Sequence, residues 1–184
     1  MTAELRAVRL KHAHALQRLL DSNPDYARRV GGGESAEEAL TIRPPGTEAS
    51  QKFDLGLWEG DELVAFSDVI RGWPSEEIAY IGLLMTHGER HRTGLGQRMH
   101  LAVLDLVAGW PEITTLRLAI VATNKDEAEP FWRRLGYLPT GDEKPYETES
   151  LKTVAHIWER PSREDIDSHL SYASGLYRGV LLLC

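Results

Sequence analysis

Arg90-His91-Arg92-Thr93-Gly94-Leu95-Gly96-Gln97 is the stretch of sequence that decides the fold. It joins an apolar, strand-like run at 78–86 to a segment whose apolar residues recur with the helical period. Glycines let the backbone approach a ligand closely, and the free amides at the start of a helix attract anions. The stretch therefore predicts a phosphate-binding turn between a strand and a helix, and Arg90 and Arg92 add to the attraction.

The composition indicates one ordinary globular domain. The chain has 184 residues, of which 42% are hydrophobic and 27% charged. Its formal net charge of -7 argues against a nucleic-acid partner and fits cationic small molecules. The single cysteine, Cys184, excludes an intrachain disulfide and favours a cytoplasmic location. The late apolar run at 180–184 is too short to span a bilayer, so no membrane association is expected.

Hydrophobic periodicity and turn signals predict an alternating series of elements. The predicted strands are 5–10, 53–58, 63–70, 78–86, 116–122 and 151–158. The predicted helices are 12–20, a short one capped by Ser35 and Glu38, one from the glycine pair to Gly109, and one capped by Asp126 and Glu129 with Pro130 in its first turn. Beyond Pro161, a helix capped by Ser162 and a short strand at 180–184 are expected.

A second motif follows the predicted strand 116–122. It consists of Asn124, Ala128, Phe131-Trp132 and Leu135-Gly136-Tyr137. Together with the glycine turn it resembles the GNAT superfamily of acetyl-CoA-dependent N-acetyltransferases over residues 3–160. A dinucleotide-binding fingerprint is the alternative for the glycine pair alone, but it requires a third glycine or alanine where Met99 stands.

The sequence departs from the family pattern at three places. His91 occupies the first position of the family's Gln/Arg-x-x-Gly-x-Gly/Ala motif, and one extra residue separates Asn124 from Ala128. Trp132 stands where many members carry a tyrosine proposed as general acid. Indole is a hydrogen-bond donor without a titratable proton, so the family's acid is missing at this position.

The resemblance implies the fold class and the domain organisation. The expected fold is mixed α/β, with a central, mostly antiparallel, splayed sheet of six to seven strands flanked by helices. Residues 1–160 would form the acetyltransferase domain. Residues 161–184 would form an extension that packs on this domain or on a partner subunit, which makes a homodimer a possible assembly.

The resemblance also implies the site for acetyl-CoA, the expected co-substrate. The pyrophosphate would lie on the amides of the glycine turn, and the pantetheine arm would run beside the strand that ends at residue 86. Asn124 would bond the arm, and two aromatic side chains would wall it in. The predicted cofactor-binding residues are Leu84, Met85, Thr86, His91, Arg92, Thr93, Gly94, Leu95, Gly96, Gln97, Asn124, Phe131 and Trp132.

Acetyl transfer to an amine requires a proton acceptor, because a typical alkyl amine with a pKa near 10.4 is protonated at pH 7. Asp68 is the first candidate, since its strand parity matches the apolar Val64, Phe66 and Ile70. Glu77 is the second candidate and lies where many family members place a base. Tyr80 is expected to help orient the substrate.

Several alternatives remain open at this stage. The chain could be a CoA-binding sensor without transfer activity, or an acyltransferase that uses another acyl group or a hydroxyl acceptor. The acceptor, a small-molecule or peptide amine, is not identified, and residues 23–50 and 71–75 are expected to select it. His12, His14, His87 and His91 lack the spacing of a metal site, so no metal is expected.

Overall fold

The computed structural model describes residues 3–33 and 35–163, whose centre is a seven-stranded sheet. The strands are β1 (Glu4–Ala7), β2 (Lys52–Glu59), β3 (Glu62–Arg71), β4 (Ile78–Thr86), β5 (Thr115–Val121), β6 (Leu138–Glu147) and β7 (Lys152–Pro161). Their order across the sheet is β1-β2-β3-β4-β5-β7-β6. Only the β4–β5 pair is parallel, which confirms the mostly antiparallel mixed α/β fold.

Helices cover both faces of the sheet. They are α1 (Ala13–Asp21), α2 (Pro24–Arg29), α3 (Ala36–Thr41), α4 (Leu95–Ala108) and α5 (Lys125–Arg134). On one face α1 and α3 bury Leu16, Leu19 and Leu40 against Phe66 of β3. On the other face α4 and α5 cover a larger apolar cluster that includes Val103, Leu116, Trp132, Tyr137 and Trp158. Burial of apolar surface in two layers therefore fixes the sheet between the helices.

The sheet opens in its middle. Strands β4 and β5 are paired only from Ile78–Thr115 to Ile81–Leu118. Beyond that point residues 82–86 of β4 and 119–121 of β5 diverge, and we call the gap between them the wedge. At its narrow end Gly82 is an extra residue in β4, because Asp68 of β3 pairs with Leu83 and Val69 pairs with Ile81.

Of the helix starts predicted from capping residues and proline, one is confirmed and one is wrong. The predicted capping box is confirmed, since Ser35 Oγ accepts from the Glu38 amide and Glu38 Oε2 accepts from the Ser35 amide. The prediction that Pro130 lies in the first turn of α5 is wrong. A 3₁₀ turn at Ala122–Asn124 leads directly into α5 at Lys125, so Pro130 falls inside the helix.

Three further elements differ from the sequence prediction. The first strand ends at Ala7 instead of residue 10, because a 3₁₀ turn begins at Leu10. Proline at N1 starts α2 directly after α1, where the Asn23-Pro24 pair had indicated only a helix end. Strand β6 was not predicted, because it is an exposed edge strand with two prolines and no apolar alternation. The predicted helix after Ser162 and strand at 180–184 lie outside the described residues.

A buried histidine makes the stability of this fold pH-dependent. His100 on α4 is 1% exposed and lies 3.1 Å from the Tyr137 hydroxyl through Nε2. Burial, with a smaller contribution from Arg160, lowers the pKa of His100 to about 4. The folded protein thus keeps His100 neutral at pH values where the unfolded chain protonates it, below about 6.5. Stability contributed by this residue is therefore lost as pH falls from about 6.5 to 4.

We expect His100→Gln to isolate this effect, because glutamine can still bond Tyr137 but does not titrate. The free energy of unfolding of the wild type should fall by about 3 kcal/mol more than that of the variant between pH 7 and pH 4. Urea denaturation at several pH values measures the difference. Using the variant as reference removes opposing titrations, such as that of Asp54, whose pKa burial raises to about 6. Parallel pH curves would contradict the prediction.

Candidate functional site

The glycine turn forms an open cradle of backbone amides at the start of α4. Gly94 is the N-cap with φ of 87°, and Arg92 also has a positive φ, 62°. The first intrahelical bond runs from the Arg98 amide to the Gly94 carbonyl, so the amides at 95–97 have no acceptor within the helix. Among the described residues, and apart from the two chain neighbours, no atom lies within 4 Å of a Cβ placed on Gly94. The cradle is therefore exposed and can accommodate an anion.

Gly96 allows close packing of α4 against its neighbours. A Cβ on this residue would lie 3.1 Å from Cε2 of the Phe131 ring and 3.7 Å from Thr86 Cγ2. Contacts at 3.1 Å are too close for carbon atoms, so the glycine lets α4 approach both α5 and the end of β4. Phe131 is partly buried at this junction. The ring thus lies beside the cradle.

The predicted binding stretch of β4 contributes main chain. Leu84 packs into the core, Met85 is 7% exposed, and the Thr86 carbonyl accepts a hydrogen bond from Asn23 Nδ2 at 3.0 Å. The side chains of Leu84 and Met85 are thus directed to packing. The backbone of residues 82–86 is the part that borders the wedge, because these residues have no partner on β5.

Asn23, in the turn between α1 and α2, links this turn to the cradle and to the end of β4. Asn23 is 6% exposed, and its Nδ2 donates to the carbonyls of Leu19 and Thr86. Its Oδ1 lies 3.0 Å from His91 Nε2, which donates to it because an amide oxygen only accepts. The His91 ring therefore contacts the turn between α1 and α2, while its backbone remains at the cradle. Sequence reasoning missed Asn23, whose only signal was the helix-ending Asn-Pro pair.

A short segment at 29–31, which we call the strap, crosses from α2 to the far side of the wedge. Arg29 Nε donates to Asn124 Oδ1 at 2.7 Å, and the Gly31 carbonyl accepts from Thr148 Oγ1 and Ser150 Oγ. Gly31 has φ of 79°, and a Cβ there would overlap Thr148 Oγ1. The predicted cofactor contact Asn124 thus has its amide oxygen bonded to the strap.

Asp68 lies in a buried ion cluster that the sequence did not reveal. Lys52 Nζ is 2.9 Å from Asp68 Oδ2 and 3.2 Å from Asp54 Oδ1, and the side chains of Lys52, Asp68 and Asp54 are 4%, 14% and 13% exposed respectively. Asp54 and Asp68 are directly opposite each other on β2 and β3. We call Lys52, Asp54 and Asp68 the carboxylate cluster.

The carboxylate cluster has distinctive electrostatics. Burial raises the pKa of Asp54 to about 6, against the attraction of Lys52 and with a smaller increase from Asp68. Burial alone would lower the pKa of Lys52, but the two carboxylates raise it above its usual value. Lys52 therefore stays charged, and with both aspartates ionised the cluster carries one net negative charge.

Gly82 brings the cluster to the wedge. A Cβ on Gly82 would lie 2.7 Å from Asp68 Oδ2 and 2.8 Å from Oδ1, so the carboxylate rests over the backbone at the β4 bulge. Asp68 Oδ1 is buried and has no hydrogen-bond partner among the described residues. The prediction missed Gly82, although a lone glycine inside a strand-like run is a recognised signal of a bulge or close approach.

The other two predicted catalytic residues have different surroundings. Tyr80 pairs with Ile70 on the Asp68 side of the sheet, and burial, followed by the Asp68 charge, raises its pKa to about 12. The phenol therefore remains protonated at pH 7. Glu77 is exposed on the turn before β4 and accepts from Ser75 Oγ at 3.2 Å. It is five residues from Gly82, roughly 16 Å along an extended chain, and the structure does not bring it to the cluster.

Trp132 belongs to the core. It is 8% exposed, and its ring meets those of Phe131 and Tyr137 with centroids 5.1 Å apart in both cases, and that of His100 at 6.1 Å. The Trp132 side chain therefore packs among aromatic rings of the core, while the Phe131 ring borders the cradle at Gly96. The predicted contact between Trp132 and the cofactor arm remains a prediction.

The described part of the chain contains neither a metal-binding cluster nor a membrane-spanning helix. Over 3–33 and 35–163, no group of three or more His, Cys, Asp or Glu side chains is arranged to hold a metal ion. Within the same residues, no helix has both the length and the apolar character needed to cross a bilayer.

Comparison with known proteins identifies a family and a fold. The model of the acetyltransferase (GNAT) family matches residues 16–137, two thirds of the chain and both sequence motifs. The comparison with curated protein sequences gave no match.

Solved structures resemble this chain over almost their whole length. An acetyltransferase from Thermus thermophilus is 22% identical, covers 88% of this chain and 97% of its own, and has a TM-score of 0.63. The ribosomal-protein-S18-alanine N-acetyltransferase from Escherichia coli is 14% identical, with coverages of 89% and 96% and a TM-score of 0.65. An aminoglycoside 6'-N-acetyltransferase complexed with coenzyme A is 16% identical, with coverages of 88% and 98% and a TM-score of 0.63.

Proposed function

Because the chain belongs to the GNAT family of acetyltransferases, we propose that it moves the acetyl group of acetyl-CoA to the nitrogen of a primary amine. The observation that carries this proposal is the carboxylate of Asp68 at the narrow end of the wedge. One of its oxygens has no partner among the described residues and can accept a proton. Both the donor and the nitrogen acceptor are typical of the family.

The cradle and the wedge fit the two halves of a CoA molecule. The amides at 95–97 would hold the pyrophosphate, and the exposed edge of β4 at 82–86 would pair with the amides of the pantetheine arm. A GNAT-fold relative whose structure contains coenzyme A supports this assignment. When bound, acetyl-CoA supplies a thioester carbonyl that an amine can attack.

The reacting end would lie near Gly82. The wedge is open beside the cradle at Thr86 and closes where Ile81 pairs with Leu118. Thr86 lies four positions along the strand from Gly82, a span of roughly 13 Å. Because the strands are joined beyond Ile81, an arm that enters from the cradle ends at Gly82, and Asp68 lies directly over that point.

Asp68 would act as the general base in this arrangement. Its Oδ1 accepts the ammonium proton of the acceptor, directly or through a water molecule, while Lys52 holds Oδ2. Tyr80 stays a neutral phenol and can donate a hydrogen bond that orients the acceptor. A dedicated acid is not required, because a thiol with a pKa near 8.5 leaves as thiolate at a cost of about 2 kcal/mol at pH 7.

Release of free CoA thiol from acetyl-CoA tests this function. The acceptor panel contains polyamines, aminoglycosides, amino acids and peptides with free N-termini, so that it covers both small-molecule and peptide amines. Thiol release that requires one of these amines would support N-acetylation. Tight CoA binding by calorimetry without release, for acetyl and longer acyl groups alike, would favour a sensor. Absence of CoA binding would contradict every form of the proposal.

Gly94→Ala should weaken CoA binding about tenfold. A left-handed conformation costs alanine about 1–2 kcal/mol, and because the loop is open it can relax until CoA binding requires that conformation again. Gly141→Ala is the matched control, since Gly141 has φ of 90°, no atom within 4 Å of its Cβ position, and a place on the outer strand β6. Calorimetry with CoA compares the two variants. Equal affinities would contradict the assignment of the cradle.

A further inference from the structure

Lys52 occupies an unusual position for a lysine. Its side chain is 4% exposed at the start of β2, where its ammonium contacts carboxylates on two neighbouring strands. Burying a charged group is costly, and well-packed apolar side chains often stabilise a fold as well as a buried ion pair does. Stability alone therefore does not explain why the Lys52 ammonium is buried here. Its contact with Asp68 suggests a role in positioning that carboxylate.

The two oxygens of Asp68 have unequal surroundings. Oδ2 receives a hydrogen bond from Lys52 at 2.9 Å, while Oδ1 is buried without a partner among residues 3–33 and 35–163. Both oxygens lie within 2.8 Å of the position that a Cβ on Gly82 would occupy. The carboxylate is thus held at one oxygen and left free at the other, directly over the β4 bulge.

We propose that Lys52 is a positioning residue for the acetyl transfer: it holds Asp68 Oδ2, so that Oδ1 lies at the narrow end of the wedge, in the space that Gly82 leaves. This inference rests on the proposed function, because it assigns a role to Lys52 only if Asp68 receives the proton of the acceptor amine.

The charged and titratable groups around Asp68 determine the expected pH behaviour. Asp54 and Lys52 face it from β2, and Tyr80 faces it from β4. Farther across the sheet, Arg117 and Glu159 form an ion pair with each other. Lys52 is the cation that contacts Asp68 directly, so its removal leaves two carboxylates facing each other. One of them must then take up a proton at a higher pH than before.

The test is the pH profile of kcat/KM for acetyl transfer in wild type, Lys52→Met and Lys52→Arg. An adjacent cation lowers the pKa of an aspartate by about 1–3 units, so the acidic limb of Lys52→Met should move up by at least one unit. Its activity should recover toward the wild-type value at high pH. Lys52→Arg should restore the limb in large part, because it retains the charge. CoA affinity, measured by calorimetry, should be unchanged in both variants.

A double variant distinguishes the effect of charge from misfolding of Lys52→Met. Lys52→Met combined with Asp54→Asn leaves Asp68 as the single charge of the cluster, so its acidic limb should lie below that of Lys52→Met. An NMR titration of the Asp68 carboxyl carbon reports the same order without using activity. If the acidic limb of the pH profile lies at the same pH in all variants, or if the methionine and arginine variants behave alike, Lys52 is not a positioning residue. Either result would leave the proposed function unaffected. A wild type that acetylates no amine would overturn the proposed function and this inference with it.

Discussion

Asp68→Asn is expected to lower kcat/KM for amine acetylation by about 10² to 10⁴, the usual contribution of a general base. Asparagine has nearly the same shape and can still accept a hydrogen bond from Lys52, but it cannot take a proton from an ammonium group. CoA affinity should stay the same, because the cradle at the start of α4 is unaffected. Steady-state kinetics and calorimetry measure the two quantities separately.

Two controls make the Asp68 result specific. Glu77→Gln removes the exposed carboxylate that sequence reasoning ranked second, and it should leave kcat/KM close to the wild-type value. An acceptor amine with a pKa near 7 is already half deprotonated at neutral pH, so the deficit of Asp68→Asn should be smaller with it. Full turnover in Asp68→Asn, or an equal loss in Glu77→Gln, would show that the base is assigned wrongly.

Trp132→Ala should lower the free energy of unfolding by about 3–5 kcal/mol. The ring is 8% exposed and contacts three other aromatic rings between α4 and α5, so alanine would leave a large cavity. Urea denaturation measures the loss. CoA affinity at a temperature where the variant is folded should change little, because the side chain lies in the core.

Trp132→Tyr is the informative companion variant, since it restores the residue that many family members carry at this position. It should cost less stability than alanine because most of the ring volume remains. It should not raise kcat, because the structure buries this side chain against the rings of Phe131, Tyr137 and His100. A small loss of stability in Trp132→Ala together with a large loss of CoA affinity would contradict the core assignment.

The parts of the fold that follow from local chemistry could be predicted from the sequence. The glycine pair predicted a turn from a strand into a helix, and the Ser35–Glu38 pair predicted a capping box, because both depend on residues a few positions apart. The wedge was expected from the family resemblance and not from any periodicity. Strand β6 escaped prediction because an edge strand need not alternate apolar and polar residues.

The ion cluster could not be predicted, because it depends on strand register. The β2–β3 hairpin begins with Glu59 opposite Glu62, and an uninterrupted ladder would place Asp54 opposite Ser67. A shift between Leu57 and Trp58 moves the ladder by one residue and places Asp54 opposite Asp68. A one-residue shift also decides which face a side chain occupies, and the sequence contains no clear signal for it.

The β4 bulge is a second feature of the same kind. Gly82 stands inside an apolar run, where a lone glycine can mark a bulge, but nothing local indicates that Asp68 will lie over it. The combination of two irregularities, one in each neighbouring ladder, brings the carboxylate to the end of the wedge. Candidate base residues could therefore be ranked from the sequence, but their surroundings required the structure.

The central claim is that an amine attacks the acetyl thioester at the end of the wedge. It is tested most directly by NMR of acetyl-CoA labelled with ¹³C at the carbonyl, incubated with the protein and each amine of the panel. We expect an amide signal to replace the thioester signal, only when an accepted amine is present and at the same rate as free thiol appears. Conversion to acetate, or a thioester that stays intact with every amine although CoA binds, would contradict it.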